Sequence, residues 1–219
     1  MTSESQKNRL EQQLEKQPRT RLAQLPTPIH HLKNFSRHFY DREIWIKRDD
    51  LTGLEGGGNK TRKLEYLVAD AVNRGCDMLV TIGAIQSNHT RQTAAAAAKS
   101  GLKCALLHFG WTEDAGPHYR TSGNILLSHT MGAELYVDET PRPIEDQGPL
   151  EEFCEYLRGL GHRPYLIPGG ASEHRLGSFG YMNCAAEILR QTKEAGIPCL
   201  LYTSPSPRDA TLSRMPSSA

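Results

Sequence analysis

From Glu43 onward, short apolar or β-branched runs alternate with longer segments of helical period, and each helical segment is closed by a glycine. The runs are 43–47, 78–82, 104–109, 134–137, 164–167 and 199–202; the helical segments are 61–74, 88–100, 124–131, 150–160 and 178–195. The closing glycines are Gly75, Gly101, Gly132, Gly161 and Gly196, placed where a helix ends in a left-handed residue that glycine adopts at no steric cost. Strands separated by a helix pair in parallel rather than as hairpins, so the class is α/β, with helices covering parallel sheet. Ligands of such sheets bind at the carboxyl ends of the strands, which places any chemistry in the loops that follow them.

Charge narrows the field of partners. With 26 Lys plus Arg against 25 Asp plus Glu, the net charge of +1 supplies no field that would draw nucleic acid or anionic lipid. No apolar run approaches the roughly 18 residues a membrane span needs, and residues 1–20 lack the apolar core of a secretory signal. A cytoplasmic location without nucleic-acid or membrane partners is expected. Cys76, Cys104, Cys154, Cys184 and Cys199 are widely spaced and form no C-x-x-C pair, so free thiols and no metal site are expected. Residues 1–20 read as a frayed or helical extension, and 141–149 as a proline-bounded surface loop. Thr203–Ala219 loses all periodicity and fills with Ser and Pro; it reads as a non-native tail without regular structure.

Three strand-to-helix junctions carry unusual residues. In KRDDLTGLEGGGNKTRK (47–63) a strand runs into Gly56, Gly57 and Gly58 and then a helix near Lys60. Glycines let a backbone approach a ligand, and a helix start offers N–H groups to an anion. Gly53 and Gly58 have the separation of a phosphate-binding P-loop, but Asn59 stands before Lys60 and Thr61. That slip turns the lysine by about 100° and argues against a nucleoside triphosphate; the plain alternative is a flexible loop. In TIGAIQSNHTRQT (81–93), Gln86, Ser87, Asn88 and His89 crowd a turn ahead of an alanine run. Ser87 or Asn88 reads as the N-cap, and the same helix start suits a carboxylate. In IPGGASEHRLGSFGY (167–181), Gly169 and Gly170 are followed by Gly177 and Gly180, which alone reads as a glycine-rich turn with a helix cap.

Together LPTP (25–28), IKRDDLTG (46–53), GGNKTRKLEYL (57–67), AIQSNHTRQTAAAAA (84–98), Gly123-Asn124 with Leu126-Leu127, and the 167–181 motif run in one order along the chain. This set resembles the D-cysteine desulfhydrase and 1-aminocyclopropane-1-carboxylate deaminase family over about residues 25–201. The resemblance implies pyridoxal 5'-phosphate as cofactor and the two-domain tryptophan synthase β-like fold, fold type II. It divides the chain into an extension (1–24), an incomplete large domain (25–60 and 168–202), a small α/β domain (61–167) and the tail (203–219), with the cofactor cleft between the domains.

By the same resemblance Lys60 is the lysine that forms the Schiff base, with Lys63 its nearest competitor. Asn88 is the asparagine at the pyridoxal ring oxygen, and Ser87 is the serine at the substrate, catalytic with Lys60. Asn59 joins the cofactor contacts, and Gln86 and His89 join Ser87 and Asn88 at the substrate. Arg48, Arg62 and Lys63 flank Lys60 in sequence; facing cations and desolvation would favour its neutral amine. The implied activity converts D-cysteine to pyruvate, hydrogen sulfide and ammonia, since His89 resembles desulfhydrase-like members where deaminases tend to carry glutamine. The alternatives are 1-aminocyclopropane-1-carboxylate deaminase, L-cysteate sulfo-lyase and, from another class, a non-catalytic fragment. A homodimer is expected for the full-length protein. Thr203–Pro207 departs from the family, which has a Ser/Gly/Thr-rich loop around the cofactor phosphate there; Pro205 and Pro207 remove N–H groups. The chain as given is therefore expected to be C-terminally truncated, with weak cofactor binding and little turnover.

Overall fold

The computed structural model describes residues 12–40, 42–110, 112, 116–140 and 146–197. It opens with a short antiparallel pair, β1 (Ile29–His31) and β2 (Trp45–Lys47), joined through helix α1 (Lys33–His38). A 3-10 turn (Asp49–Leu51) and the glycine loop lead into α2 (Thr61–Asn73). The regular middle follows as β3 (Met78–Ala84), α3 (Asn88–Lys99), β4 (Lys103–Phe109), α4 (Gly123–Thr130), β5 (Glu134–Asp138), α5 (Gly148–Gly159) and β6 (Pro164–Ile167). A second 3-10 turn (Gly169–Ala171) precedes the long helix α6 (Arg175–Glu194).

The four central strands form one parallel sheet in the order β5-β4-β3-β6. The α/β class is thus observed, and the five closing glycines all have positive φ, from 64° at Gly196 to 89° at Gly161. Side-chain alternation divides the core between the two faces of the sheet. Leu79, Cys104 and Leu106 pack with Leu64, Leu67 and Val68 of α2 and Ala94–Ala97 of α3. Met78, Val80, Ile82, Ala105, Leu107 and Phe109 pack with Leu150, Phe153 and Leu157 of α5. The small alanines let α3 sink until nearly its whole circumference is buried, His89 and Gln92 included. Cys76, Cys104, Cys154 and Cys184 are free thiols.

Three differences from the sequence reading have local causes. β1 and α1 were not expected; each is too short to show a period, and α1 has no side-chain N-cap. The last helix begins three residues before Ser178, because His174 caps it through Nδ1, which accepts from the Leu176 amide at 3.3 Å. Gly177 and Gly180 are not cap glycines: a Cβ would stand 2.6 Å from the Ala171 carbonyl oxygen and 2.5 Å from the Arg62 backbone. They let α6 lie against the start of α2. The expected strand 199–202 and the tail 203–219 lie outside the described residues.

Candidate functional site

Lys60 is the N-cap residue of α2 and only 4% exposed. Its backbone and that of Thr61 are fixed from another helix: the Gln92 Oε1 atom accepts from Lys60 N (3.0 Å), Thr61 N (2.9 Å) and the Thr61 hydroxyl (3.0 Å). This corrects one expectation. The start of α2 does not offer these amides to an anion, because a buried side-chain carbonyl already holds them.

The Lys60 Nζ atom makes no hydrogen bond or ion pair among the described residues. Its Cε lies 3.7 Å from where a Gly170 Cβ would stand, so the side chain lies against the turn after β6. Burial holds the amine below the usual lysine pKa. The competitor Lys63 is engaged: its Nζ donates to the Gly170 carbonyl (3.1 Å) and lies 3.0 Å from the Ser172 hydroxyl. Burial and then the charge of Lys60 bring the Lys63 amine down to about 8. Of the flanking cations Lys63 is the one coupled to Lys60 by charge. Arg62 turns away into Asp49, Glu187 and Thr27, and Arg48 pairs with Asp50.

The glycine loop before Lys60 has glycines for two separate reasons. Gly57 (φ 69°) leaves no room for a Cβ, which would stand 1.9 Å from the Asp50 carbonyl oxygen. At Gly58 a Cβ would meet the Gln92 amide at 2.5 Å. Arg91 clamps the loop from α3 by donating to the carbonyls of Glu55 and Gly57, and to Asn124 Oδ1 at 2.9 Å. Two strand-to-helix junctions are thereby tied together.

The β3–α3 junction brings Asn88 to Asn59: Asn88 Nδ2 donates to Asn59 Oδ1 at 3.1 Å. The chain neighbour of Lys60 therefore touches the start of α3. Ser87 caps α3, its Oγ accepting from His89 N (3.1 Å) and Thr90 N (3.4 Å), which leaves its hydroxyl proton free to donate. Asn88 is exposed and Ser87 half-buried. Gln86 points elsewhere. Its amide nitrogen donates to the carbonyls of Tyr119 and Ser122, and its oxygen accepts from Asn124 N, so it braces the start of α4. His89 is 3% exposed. The Thr81 hydroxyl spends its proton on the Ile167 carbonyl (2.7 Å) and so accepts from His89 Nε2 (2.9 Å). Burial first, then the charges of Lys60 and Lys63, push the His89 pKa down to about 3.

Arg91 and Gln92 were not singled out from sequence, although each follows a residue that was by one helical turn, Ser87 and Asn88 respectively. That i, i+4 spacing was the available signal. An open groove of about 680 Å³ between residues 24–28 and the glycine loop is lined by none of the candidate residues. Among the described residues there is no cluster of His, Cys, Asp or Glu able to hold a metal ion, and no helix long and apolar enough to cross a membrane.

A 1-aminocyclopropane-1-carboxylate deaminase of Burkholderia lata is 45% identical over 185 residues, 84% of this chain and 55% of the relative. A crystal structure of an ACC deaminase homologue superposes with a TM-score of 0.74 at 41% identity, covering 83% of this chain and 53% of the other. The Escherichia coli diaminopropionate ammonia lyase, at 17% identity and a TM-score of 0.61 over 88% of this chain and 50% of the other, shares the fold. The chain spans about half the length of the curated relatives it matches. The family described as pyridoxal-phosphate dependent enzyme matches residues 20–199, and the chain belongs to that family.

Proposed function

We propose that the protein is a pyridoxal-phosphate-dependent lyase that releases ammonia from a small amino acid in the cytoplasm. The observation that carries this reading is Lys60: its amine is buried and without a hydrogen-bond partner among the described residues, and its chain neighbour Asn59 is bonded to Asn88. A lysine in this state fits a covalently held carbonyl cofactor, because desolvation maintains the neutral, nucleophilic amine. The ring side of the group also fits, with the amides of Asn59 and Asn88 as polar contacts. The stretch expected to meet its phosphate, 203–207, lies outside the described residues.

When bound, pyridoxal phosphate supplies an electron sink for charge developing at the substrate α-carbon. The protein's own residues do the rest. Lys60 would hold the group through its amine, and its neutral amine is the base the site offers: for D-cysteine it would take the α-proton, whereas 1-aminocyclopropane-1-carboxylate carries no α-proton and only a ring-methylene proton would be open to it. The start of α3 receives the substrate carboxylate, with the Ser87 hydroxyl as donor and the helix dipole favouring the negative charge. His89 stays behind this surface as a neutral support, and Gln86 is left out of the substrate contacts because its amide is already used. The division into a small domain (61–167) and large-domain segments (25–60 and 168–202) is carried forward with this reading, as is a homodimer of the full-length protein, both supported by the family resemblance.

The curated relatives favour 1-aminocyclopropane-1-carboxylate as substrate. D-cysteine is the second reading, on the QSNHTRQ motif alone, and it loses weight because His89 is turned into the core. Two measurements test the proposal. The chain is incubated with pyridoxal phosphate, reduced with borohydride and mapped by peptide mass spectrometry; the label is expected on Lys60 and absent from Lys60→Ala. A label distributed over surface lysines, with none on Lys60, would overturn the reading. Release of a 2-oxo acid without sulfide from 1-aminocyclopropane-1-carboxylate, against sulfide release from D-cysteine, decides the substrate.

A further inference from the structure

We infer that Gln92 is a positioning residue that couples the cofactor lysine to the substrate-binding helix start, setting where Lys60 stands relative to Asn88. The inference deepens the proposed function and rests on its assignment of Lys60. Gln92 is 0% exposed and lies in the first half of α3, between Arg91 and Thr93 and just ahead of the buried alanines Ala94–Ala97. Its amide orientation is fixed by its partners. Oε1 receives three donors, from Lys60 N, Thr61 N and the Thr61 hydroxyl, while Nε2 donates to the Asn88 carbonyl at 2.9 Å. A flipped amide would set donors against donors and place its oxygen on the Asn88 carbonyl.

One buried group therefore holds two backbones that approach from different strands. On one side it replaces the missing N-cap of α2, since Lys60 itself provides no side-chain cap. On the other it fixes the first residue of α3, whose side chain reaches Asn59. The chain makes room for this amide at Gly58, where any Cβ would collide with it. Burying a polar side chain at this depth is costly unless its bonds are made. Here every one of them runs to Lys60, Thr61 or Asn88. A leucine in its place would fill the volume equally well and leave the amides of Lys60 and Thr61 without an acceptor.

Two variants separate positioning from mere packing. Gln92→Glu keeps an acceptor for Lys60 N and Thr61 N and loses the donor to Asn88. Gln92→Met keeps the volume and loses both. Hydrogen exchange of the full chain should show the Lys60 and Thr61 amides protected in the wild type and in Gln92→Glu, and exposed in Gln92→Met. Borohydride labelling with pyridoxal phosphate should lose its preference for Lys60 over Lys63 about tenfold in Gln92→Met. In Gln92→Glu the pH midpoint of Lys60 labelling should rise, because a carboxylate stabilises a neighbouring ammonium. Wild-type selectivity and pH midpoint in both folded variants would overturn this inference while leaving the lysine assignment intact. Absence of Lys60 labelling in the wild-type chain would overturn the assignment and the inference together.

Discussion

The parallel sheet and the β1–β2 region are held together by opposite means. The sheet is apolar on both faces: Leu79, Leu106, Met78 and Val80 are each 0% exposed, with helices packed on either side. The β1–β2 region has three-residue strands and leaves Phe35, Phe39 and Ile46 exposed. It is joined to the rest by charge. Arg62, itself 1% exposed, donates to both carboxylate oxygens of Asp49 and of Glu187 and to the Thr27 hydroxyl. Lys47 of β2 adds a 2.9 Å ion pair to Glu187. The first kind of cohesion is written in the sequence as a period; the second depends on partners that α6, the 3-10 turn and β2 bring from far along the chain.

The largest expected effect is on the charged side of this comparison. Arg62→Leu leaves the buried Glu187 and the half-buried Asp49 short of their main partner, and breaking such a cluster costs about 4 kcal/mol, read from the urea midpoint at pH 7. The sign of its pH dependence follows from Glu187. Burial alone would raise that carboxyl, but hydrogen bonds from Arg62 and Lys47 outweigh it and hold it below the usual glutamate range. Its stabilisation is present above the ordinary glutamate range and lost as pH falls through the lowered value. The gap between wild type and Arg62→Leu should therefore narrow in acid; a gap constant down to pH 3 would mean that packing, not charge, holds this region.

Leu106→Ala is the matching cut in the sheet. The side chain is fully buried on β4, between β3 and β5, and its removal should cost about 3 kcal/mol, the transfer loss plus a cavity. The cost should not depend on pH, since no titrating group is removed. A pH-dependent loss here would blur the distinction between the two regions.

This contrast also explains what was legible beforehand. The sheet strands, their helices and the glycine stops follow from periods and from residues such as Gly75 and Gly161 that need a positive φ. β1 and α1 escaped because three and six residues carry no period. In the site, Lys60, Asn59, Ser87 and Asn88 stood at strand-to-helix junctions, where such sheets keep their ligands, and the structure brings Asn59 to Asn88. Gln92 and Arg91 escaped because they sit inside a helix, where a polar residue reads as surface until the fold shows that every residue from His89 to Ala97 is buried.

The glycine loop lies where the two regions meet, and Gly57→Ala tests whether its shape serves the site. The position combines φ of 69° with a Cβ position 1.9 Å from the Asp50 carbonyl oxygen. The strain should cost about 2 kcal/mol and displace Lys60, lowering its borohydride labelling more than that of Lys63. Equal loss at both lysines would make the loop a folding element with no particular bearing on the site.

The smallest effect comes from His89, which puts a titrating group into the apolar half. Burial, reinforced by Lys60 and Lys63, lowers its pKa to about 3 from the ordinary histidine value of about 6.5. The unfolded chain then binds a proton that the folded chain refuses throughout the interval between those values. Stability from this neutral imidazole is complete above pH 6.5 and declines as pH falls below it, with the same sign as the carboxylate case and a higher starting pH. Between pH 7 and pH 5.5 the loss should be about 1 kcal/mol. His108 is also lowered by burial and contributes in the same direction, so wild-type acid sensitivity alone does not isolate His89. The difference between wild type and His89→Gln does, since glutamine retains a donor for Thr81 and cannot titrate. That difference should shift in favour of the variant as pH falls from 7 to 5.5, well above the range where Glu187 titrates. Parallel stability curves for the two proteins over this interval would place His89 in contact with water or with an acidic partner, and would remove the reason for treating it as a neutral support behind the site.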